Sequence, residues 1–317
     1  MTQSVLSKRI SLIRSFDENR DNAYTVAFSS DGKQFAAAGG LRAVFIYDLT
    51  HEKAIGGLAD HTQSIYAVKY SNNGKWLFST GRDGKVMVYD AQSYDKITEL
   101  LPEFDLSQAH PLQLPNFCLA LSPDEKYLAV GASGGILRLY NTSNWQLIKV
   151  LPLHKDNIRS VCFSPDGKLM ATGSSDNHVI LTDTSNFETL EVIEGHGDTV
   201  FASLFSPDGK LFVTGGKDAR LRVWTVNGNK ISPRVKIVAH TYAIKDIHFL
   251  SSSNELISVS QDKTIKLWDL NQMKATEIID KTKDGHAFTV NSVDISPDKS
   301  YMITGSDDKF VKLWKLQ

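Results

Sequence analysis

Cysteine is almost missing from this chain of 317 residues: Cys118 and Cys162 are the only two. They show no paired spacing, and both sit in apolar, strand-like stretches. They read as two buried, reduced thiols, and a cytoplasmic or nuclear setting follows. Long hydrophobic runs are missing too. None reaches the roughly 18 residues of a membrane span, so no membrane partner is expected. Residues Met1 to Lys8 lack the apolar stretch of a secretory signal. An excess of one charge is also absent. The formal net charge is −1, so the whole molecule exerts no long-range pull on nucleic acid or anionic lipid.

What the chain has instead is repetition. One short phrase recurs seven times: Ser29-Ser30-Asp31-Gly32, Ser71-Asn72-Asn73-Gly74, Ser122-Pro123-Asp124-Glu125, Ser164-Pro165-Asp166-Gly167, Ser206-Pro207-Asp208-Gly209, Leu250-Ser251-Ser252-Ser253 and Ser296-Pro297-Asp298-Lys299. The steps between them are 42, 51, 42, 42, 44 and 46 residues. A period in the low forties, held along the whole chain, marks a repeat architecture. Each unit needs its neighbours to bury its faces, so one closed domain over 1–317 is expected, with residues 1–7 a short flexible N-terminus. The stretch from Gly195 shows the unit. Val200 to Phe205 is an apolar strand, Ser206 to Gly209 a tight turn, Leu211 to Gly215 a second strand and Leu221 to Trp224 a third. A fourth strand precedes the next repeat. Four short antiparallel strands per unit make one blade of a β-propeller.

The paired residues at the repeat ends sharpen this. Gly195-His196, Gly285-His286, Ala239-His240, Asp60-His61 and Leu153-His154 stand at the front, and Trp268-Asp269, Tyr89-Asp90 and Tyr47-Asp48 at the back. On these residues the chain resembles the WD40 family, over nearly its whole length. The fold implied is all-β, a seven-bladed propeller with four antiparallel strands per blade. The resemblance also implies a hydrogen-bonded set of His, Ser or Thr, Asp and Trp within a blade. Three repeats carry it whole: His196, Thr214, Asp218 and Trp224; His240, Ser258, Asp262 and Trp268; His286, Thr304, Asp308 and Trp314. Tyr89 replaces Trp beside His61, Ser79 and Asp83, and Thr182 replaces it beside His154, Thr172 and Asp176. The first and third repeats have lost the set, with Ala37, Leu41 and Tyr47, and Val130, Gly134 and Tyr140, in its place. A hydrogen bond to a charged partner contributes about 1.5–3 kcal/mol, so those two blades are expected to be weaker.

Each repeat opens with the outer strand of the preceding blade. The first such segment, Ile10 to Phe16, has no earlier blade to join, and the last repeat ends without an outer strand. The N-terminal strand is therefore expected to complete the last blade and close the ring, removing exposed sheet edges.

Catalytic chemistry finds no foothold. Five of the nine histidines occupy one repeat position, and His51, His110, His178 and His248 have no ligand spacing with Cys, Asp or Glu. Gly131-Ala132-Ser133-Gly134-Gly135 lies between two strands and lacks the phosphate-loop pattern. No nucleophile elbow or HExxH motif occurs. No catalytic residue, cofactor or metal is assigned.

The resemblance places partner-binding side chains around the channel mouth, at two positions per blade. The one five residues after the blade His holds Tyr24, Tyr66, Phe117, Arg159, Phe201, Lys245 and Asn291. The one before the blade Asp holds Gly40, Arg82, Ser133, Ser175, Lys217, Gln261 and Asp307. Tyr24, Tyr66, Arg82, Phe117, Arg159, Phe201, Lys217 and Lys245 are the candidate docking residues. Aromatics and Arg are enriched in interface hot spots. Partial burial of the aromatics by an adjacent loop is the competing reading. The longest step adds residues within 91–121, rich in Leu and Pro, which either form a lip beside Phe117 and Tyr66 or fold onto their own blade. The functional expectation is a non-catalytic scaffold or adaptor that holds proteins or peptides with apolar anchors and acidic flanks, itself monomeric within a hetero-complex. Its alternatives are a reader of acidic or phosphorylated peptides and an RNA-associated subunit, direct nucleic-acid binding being less favoured.

Overall fold

A computed structural model describes residues 9–18, 20–101, 114–250 and 252–317. Each repeat alternates strand formers with self-closing turns. In the fifth, the strands are Val200–Phe205, Leu211–Gly216, Arg220–Asn227 and Lys230–Val238. The turn between the first two is fastened by its own side chains. Ser206 Oγ donates to Asp208 Oδ1 at 2.7 Å, and the Leu211 N–H donates to Ser206 Oγ at 2.8 Å. Gly209 takes φ +70° there, a conformation costly for a side-chain-bearing residue. The same Ser-to-Asp bond recurs from Ser29, Ser122, Ser164 and Ser296.

Among the described residues these strands form seven four-stranded antiparallel sheets, the blades of an all-β propeller. We number them from the sheet that begins with Ala23–Phe28. The innermost strands are Ala23–Phe28, Ile65–Tyr70, Asn116–Leu121, Ile158–Phe163, Val200–Phe205, Ile244–Phe249 and Val290–Ile295. They neighbour one another in a ring around a central channel.

Blade 7 is composite. Ile10–Phe16 pairs antiparallel with Val311–Leu316, from Ile10 opposite Leu316 to Phe16 opposite Val311. Both Ile10 and Phe16 are 1% exposed, so this strand is part of the core and closes the ring.

The core lies between blades. Val213, Leu221 and Val223 of blade 5, for example, pack with Ile244, Ile247 and Trp268 of blade 6. The two blades without a tetrad have other fastenings. In blade 1 the Tyr47 and Phe35 rings stack at 4.8 Å, and Phe16 from the closing strand lies 5.5 Å from Phe35 and 4.8 Å from Tyr47. In blade 3, Asn116 Nδ2 donates to Thr80 Oγ1 at 2.9 Å and to the Gly84 carbonyl at 2.8 Å, while Arg138 Nη1 donates to Asn116 Oδ1 at 3.2 Å. Of the two blades that lack a tetrad, the first thus carries aromatic packing and the third an amide bridge to blade 2.

Candidate functional site: the channel mouth

The backbone itself selects which residues face the channel. Each innermost strand carries one β-bulge near its start. The register slips between Ala23 and Thr25, Ile65 and Ala67, Asn116 and Cys118, Ile158 and Ser160, Val200 and Ala202, Ile244 and Asp246, and Val290 and Ser292. The seven unpaired residues are Tyr24, Tyr66, Phe117, Arg159, Phe201, Lys245 and Asn291. A bulge bends its strand and re-aims the extra side chain. All seven line one channel of about 1190 Å³. The close approach this requires is visible at Gly81, where a Cβ would fall 2.1 Å from the Ser64 carbonyl oxygen, and at Gly216, 2.3 Å from that of Thr199.

These side chains touch one another. The Tyr24 and Tyr66 rings are 5.9 Å apart, and Tyr66 stacks on Phe117 at 5.6 Å. The Arg159 guanidinium covers the other side of that ladder, 4.0 Å from the Phe117 centroid, and Arg159 Nε donates to Ser175 Oγ at 3.0 Å. Lys245 Nζ sits 4.3 Å from the Phe201 centroid. Asn291 Nδ2 donates to Asp307 Oδ1 at 2.7 Å and to the Ala23 carbonyl at 3.1 Å. The seven residues are half-buried. Burial raises the Tyr24 phenol pKa, with Asp307 and Asp21 adding to the effect.

The second set of positions lies farther out. Arg82 and Lys217 are exposed and stand outside the channel lining. They sit on the turn after the second strand, not on the innermost strand, and Lys217 Nζ pairs with Asp198 Oδ2 at 3.1 Å. Of that set, Gln261 and Asp307 reach the channel. The enlarged segment is bounded by the strands Lys96–Leu100 and Asn116–Leu121. Most of the lip expected within 91–121 falls on residues 102–113, outside the described residues.

Below the mouth the channel wall is held by side chains that sequence reasoning passed over. Asp246 Oδ2 accepts the Val293 N–H at 3.0 Å and Ser292 Oγ at 3.1 Å, joining blades 6 and 7. Asp294 Oδ2 accepts the Phe28 N–H at 2.7 Å, joining blades 7 and 1, and its Oδ1 lies 3.2 Å from His248 Nε2. Thr25 Oγ1 accepts the Val68 N–H at 3.0 Å, joining blades 1 and 2. Innermost strands have no sheet neighbour across the gap between blades, and these bonds satisfy N–H groups that would otherwise be stranded. Burial pushes the Asp246 carboxyl up to about 6. Burial acts the same way on Asp294, but the hydrogen bond and charge of His248, the charge of Lys69 and the Phe28 N–H together outweigh it and hold that group below its ordinary value. The signal was available: aligned along the innermost strands, Asp246, His248 and Asp294 stand where most repeats place small or apolar residues.

The repeated histidines are locked into blades. Nδ1 of His61, His240 and His286 lies 2.9 Å from Asp83, Asp262 and Asp308, and that of His154 lies 3.0 Å from Asp176. Their Nε2 atoms meet Ser79, Ser258, Thr304 and Thr172 at 2.7–2.9 Å. Trp268 and Trp314 Nε1 donate to Ser258 and Thr304 at 2.8 and 2.9 Å. Tyr89 instead donates to Asp60 Oδ2 at 3.1 Å, and Thr182 Oγ1 has no partner among the described residues. Blade 5 departs from the common arrangement. His196 Nε2 still meets Thr214 Oγ1 at 2.8 Å, and Trp224 Nε1 donates there at 3.2 Å. Yet Nδ1 is 3.7 Å from Asp218, because Arg222 enters between them, donating to His196 Nδ1 at 2.9 Å and to Asp218 Oδ2 at 2.7 Å. A donor facing Nδ1 requires the Nε2–H tautomer at His196, the reverse of the four rings whose Nδ1 faces a carboxylate. Among the described residues no group of three or more His, Cys, Asp or Glu side chains is placed to hold a metal ion.

Comparison with known proteins agrees with this architecture. The family model described as "WD domain, G-beta repeat" matches residues 52–90, 109–141, 145–183, 187–225, 232–269 and 279–315, well over half the chain. Among curated relatives, an intraflagellar transport protein 122 homolog of Xenopus tropicalis is 24% identical over 42% of this chain and 14% of its own length. A U3 snoRNP-associated protein-like protein (YAO) of Arabidopsis thaliana is 22% identical over 33% of this chain and 23% of its own length. Actin-interacting protein 1 of Drosophila melanogaster is 35% identical over 28% of this chain and 14% of its own length. The chain thus spans less than a quarter of each of these relatives.

Proposed function

We propose that this chain, which belongs to the WD40-repeat family, is a non-catalytic scaffold that docks partner proteins on the channel mouth within a larger assembly. The observation that carries this reading is the bulge register. Seven blades direct their one re-aimed side chain into a single mouth, and four of those seven are Tyr or Phe. The blade histidines and aspartates are occupied in holding blades together, so among the described residues none of them forms a free proton-transfer pair at the mouth. The names of the relatives, which include transport, snoRNP-associated and actin-interacting proteins, support a subunit role. A cytoplasmic or nuclear setting fits the same reading.

The energetics bound the contact. Fully burying an aromatic side chain contributes about 1.5–3 kcal/mol. These rings are half-buried already, so each yields less. Association costs about 4–15 kcal/mol, and the aromatics alone do not meet the upper part of that range. Rings stacked in place before binding lower the ordering cost, and the partner's acidic flanks meet the basic side of the mouth. Oxidative footprinting of the complex against the free chain tests the face used. Protection is expected at Tyr24, Tyr66, Phe117 and Phe201. Protection confined to the opposite end, at the Ser-Pro-Asp turns, would reject the assignment.

A further inference from the structure

One side of the mouth holds two cations that, among the described residues, have no carboxylate within ion-pair distance. Arg159 projects from the bulge of blade 4 and Lys245 from that of blade 6, with Phe201 of blade 5 between them. The Lys245 ammonium rests 4.3 Å from the Phe201 ring centre. Among the described residues it has neither a hydrogen-bond acceptor nor a carboxylate within ion-pair distance. Arg159 spends Nε on Ser175 and one face on Phe117, leaving both Nη groups without an acceptor among the described residues. Other cations that enter the blades are matched. Arg222 bonds to Asp218, Lys266 Nζ to the Ala239 carbonyl at 2.7 Å and Lys312 Nζ to the Asp284 carbonyl at 2.7 Å.

The two cations are also partly buried, and the charge of Arg159 acts on Lys245. Burial holds the Lys245 pKa below the ordinary lysine value, with Asp307 opposing and Arg159 adding to the effect. Burial lowers Arg159 likewise, with Asp156 opposing. Asp307 is partly satisfied by Asn291, which donates to it at 2.7 Å. Desolvated like charges destabilise one another until an anion enters. A guanidinium fixed by stacking and by its Nε bond presents its remaining N–H groups in a rigid fork that fits an oxyanion.

We propose that the space between Arg159 and Lys245 is an anion socket that takes one oxyanion carried by the docked peptide, a carboxylate or a phosphomonoester. This rests on the mouth being a docking face and adds the chemistry of what docks there. The ligand is held in a defined direction. Its oxyanion lies toward blades 4 to 6, and its apolar neighbour lies toward the Tyr24, Tyr66 and Phe117 ladder of blades 1 to 3. A phosphomonoester carries about −1.5 to −2 charge and would neutralise both cations, whereas a carboxylate would leave one unit over.

The test is an NMR titration of the labelled full chain with three probes: phenyl phosphate, phenylacetate and uncharged benzyl alcohol. Both anions should shift the Arg159 Nε and Lys245 Cε signals and bind about tenfold or more tightly than benzyl alcohol. That preference should fall about tenfold in Lys245→Met, which keeps an apolar stem on Phe201, and in Arg159→Gln. Lys217→Met, at a rim cation already paired with Asp198, should retain it. Tighter binding of phenyl phosphate supports the socket with a phosphomonoester as its ligand, and tighter binding of phenylacetate supports it with a carboxylate. Anions that bind no better than benzyl alcohol, or a preference that survives both mouth variants, would overturn the socket. If benzyl alcohol still shifts Tyr66 and Phe117 in that case, the docking face stands and the socket alone is lost. If no probe reaches the mouth and footprinting also finds it unprotected by a partner, the docking face is lost as well.

Discussion

At the scale of single residues, the histidines show how repetition separates structure from chemistry. A His that recurs once per repeat, with Asp and Ser or Thr at fixed spacing, is there to join strands. The contacts of His61, His154, His240 and His286 have that form. The exception at His196 comes from Arg222, whose position on the third strand holds Phe45, Met87, Ile180, Lys266 and Lys312 in five other repeats and Arg138 in the third, where the tetrad is lost. Spacing alone could not reveal it, because the tetrad positions themselves are intact. These buried rings give stability a defined pH dependence. Burial holds His154, His196, His240 and His286 below the ordinary histidine value, against the pull of their aspartates. The unfolded chain recovers values near about 6.5. Below that pH it binds protons that the folded state does not, so stability falls with pH. Asp246 works in the opposite sense. Its folded value of about 6 exceeds the ordinary one, so the folded state takes up a proton first and gains stability as pH falls through 6. Four groups against one give a net loss. Calorimetry should find a lower Tm at pH 5 than at pH 7, and an equal or higher Tm would contradict the assignment. A second loss belongs to more acid pH. For Asp83, Asp176, Asp218, Asp262 and Asp308, burial acts to raise the pKa, but hydrogen bonds and nearby charge prevail and hold these groups low.

At the scale of elements, two features decide the architecture. One is the strand Ile10–Phe16, which supplies the outer edge of blade 7. Its role was legible in the offset between repeats and blades, because a leftover strand at one end and a missing one at the other have one economical solution. The apolar ends Ile10 and Phe16 are fully buried, and Phe16 also completes the aromatic cluster of blade 1. Deleting residues 1–17 should therefore prevent folding rather than trim a tail. A soluble truncated chain with an unchanged Tm would refute closure by this strand. The other feature is the bulge at the start of each innermost strand. The sequence points to these positions through the repeat alignment but not to their cause. A bulge is a register slip between two strands, and no single strand displays it. The clamps made by Asp246 and Asp294 were hidden for the same kind of reason. They satisfy N–H groups on a neighbouring blade, more than 40 residues away in the chain and, for Asp294 and Phe28, at the opposite end of it.

At the scale of the whole molecule, a closed ring of seven blades leaves few places for individuality. Most residues that agree between repeats build the ring. The differences gather at the mouth, where the same backbone position holds Tyr, Tyr, Phe, Arg, Phe, Lys and Asn in turn. The expected outer contributors, Arg82 and Lys217, belong to the rim instead. The turn that carries them lies one strand farther from the channel, a distinction that linear spacing does not carry. We propose that the bulge residues form one docking face. It is tested most directly by the affinity of the captured partner for Tyr66→Ala/Phe201→Ala, measured beside the melting of the same variant. Binding should be lost while Tm moves by no more than a few degrees, since both rings lie on the channel wall and outside the cores between blades. Undiminished affinity in that doubly substituted chain would contradict it.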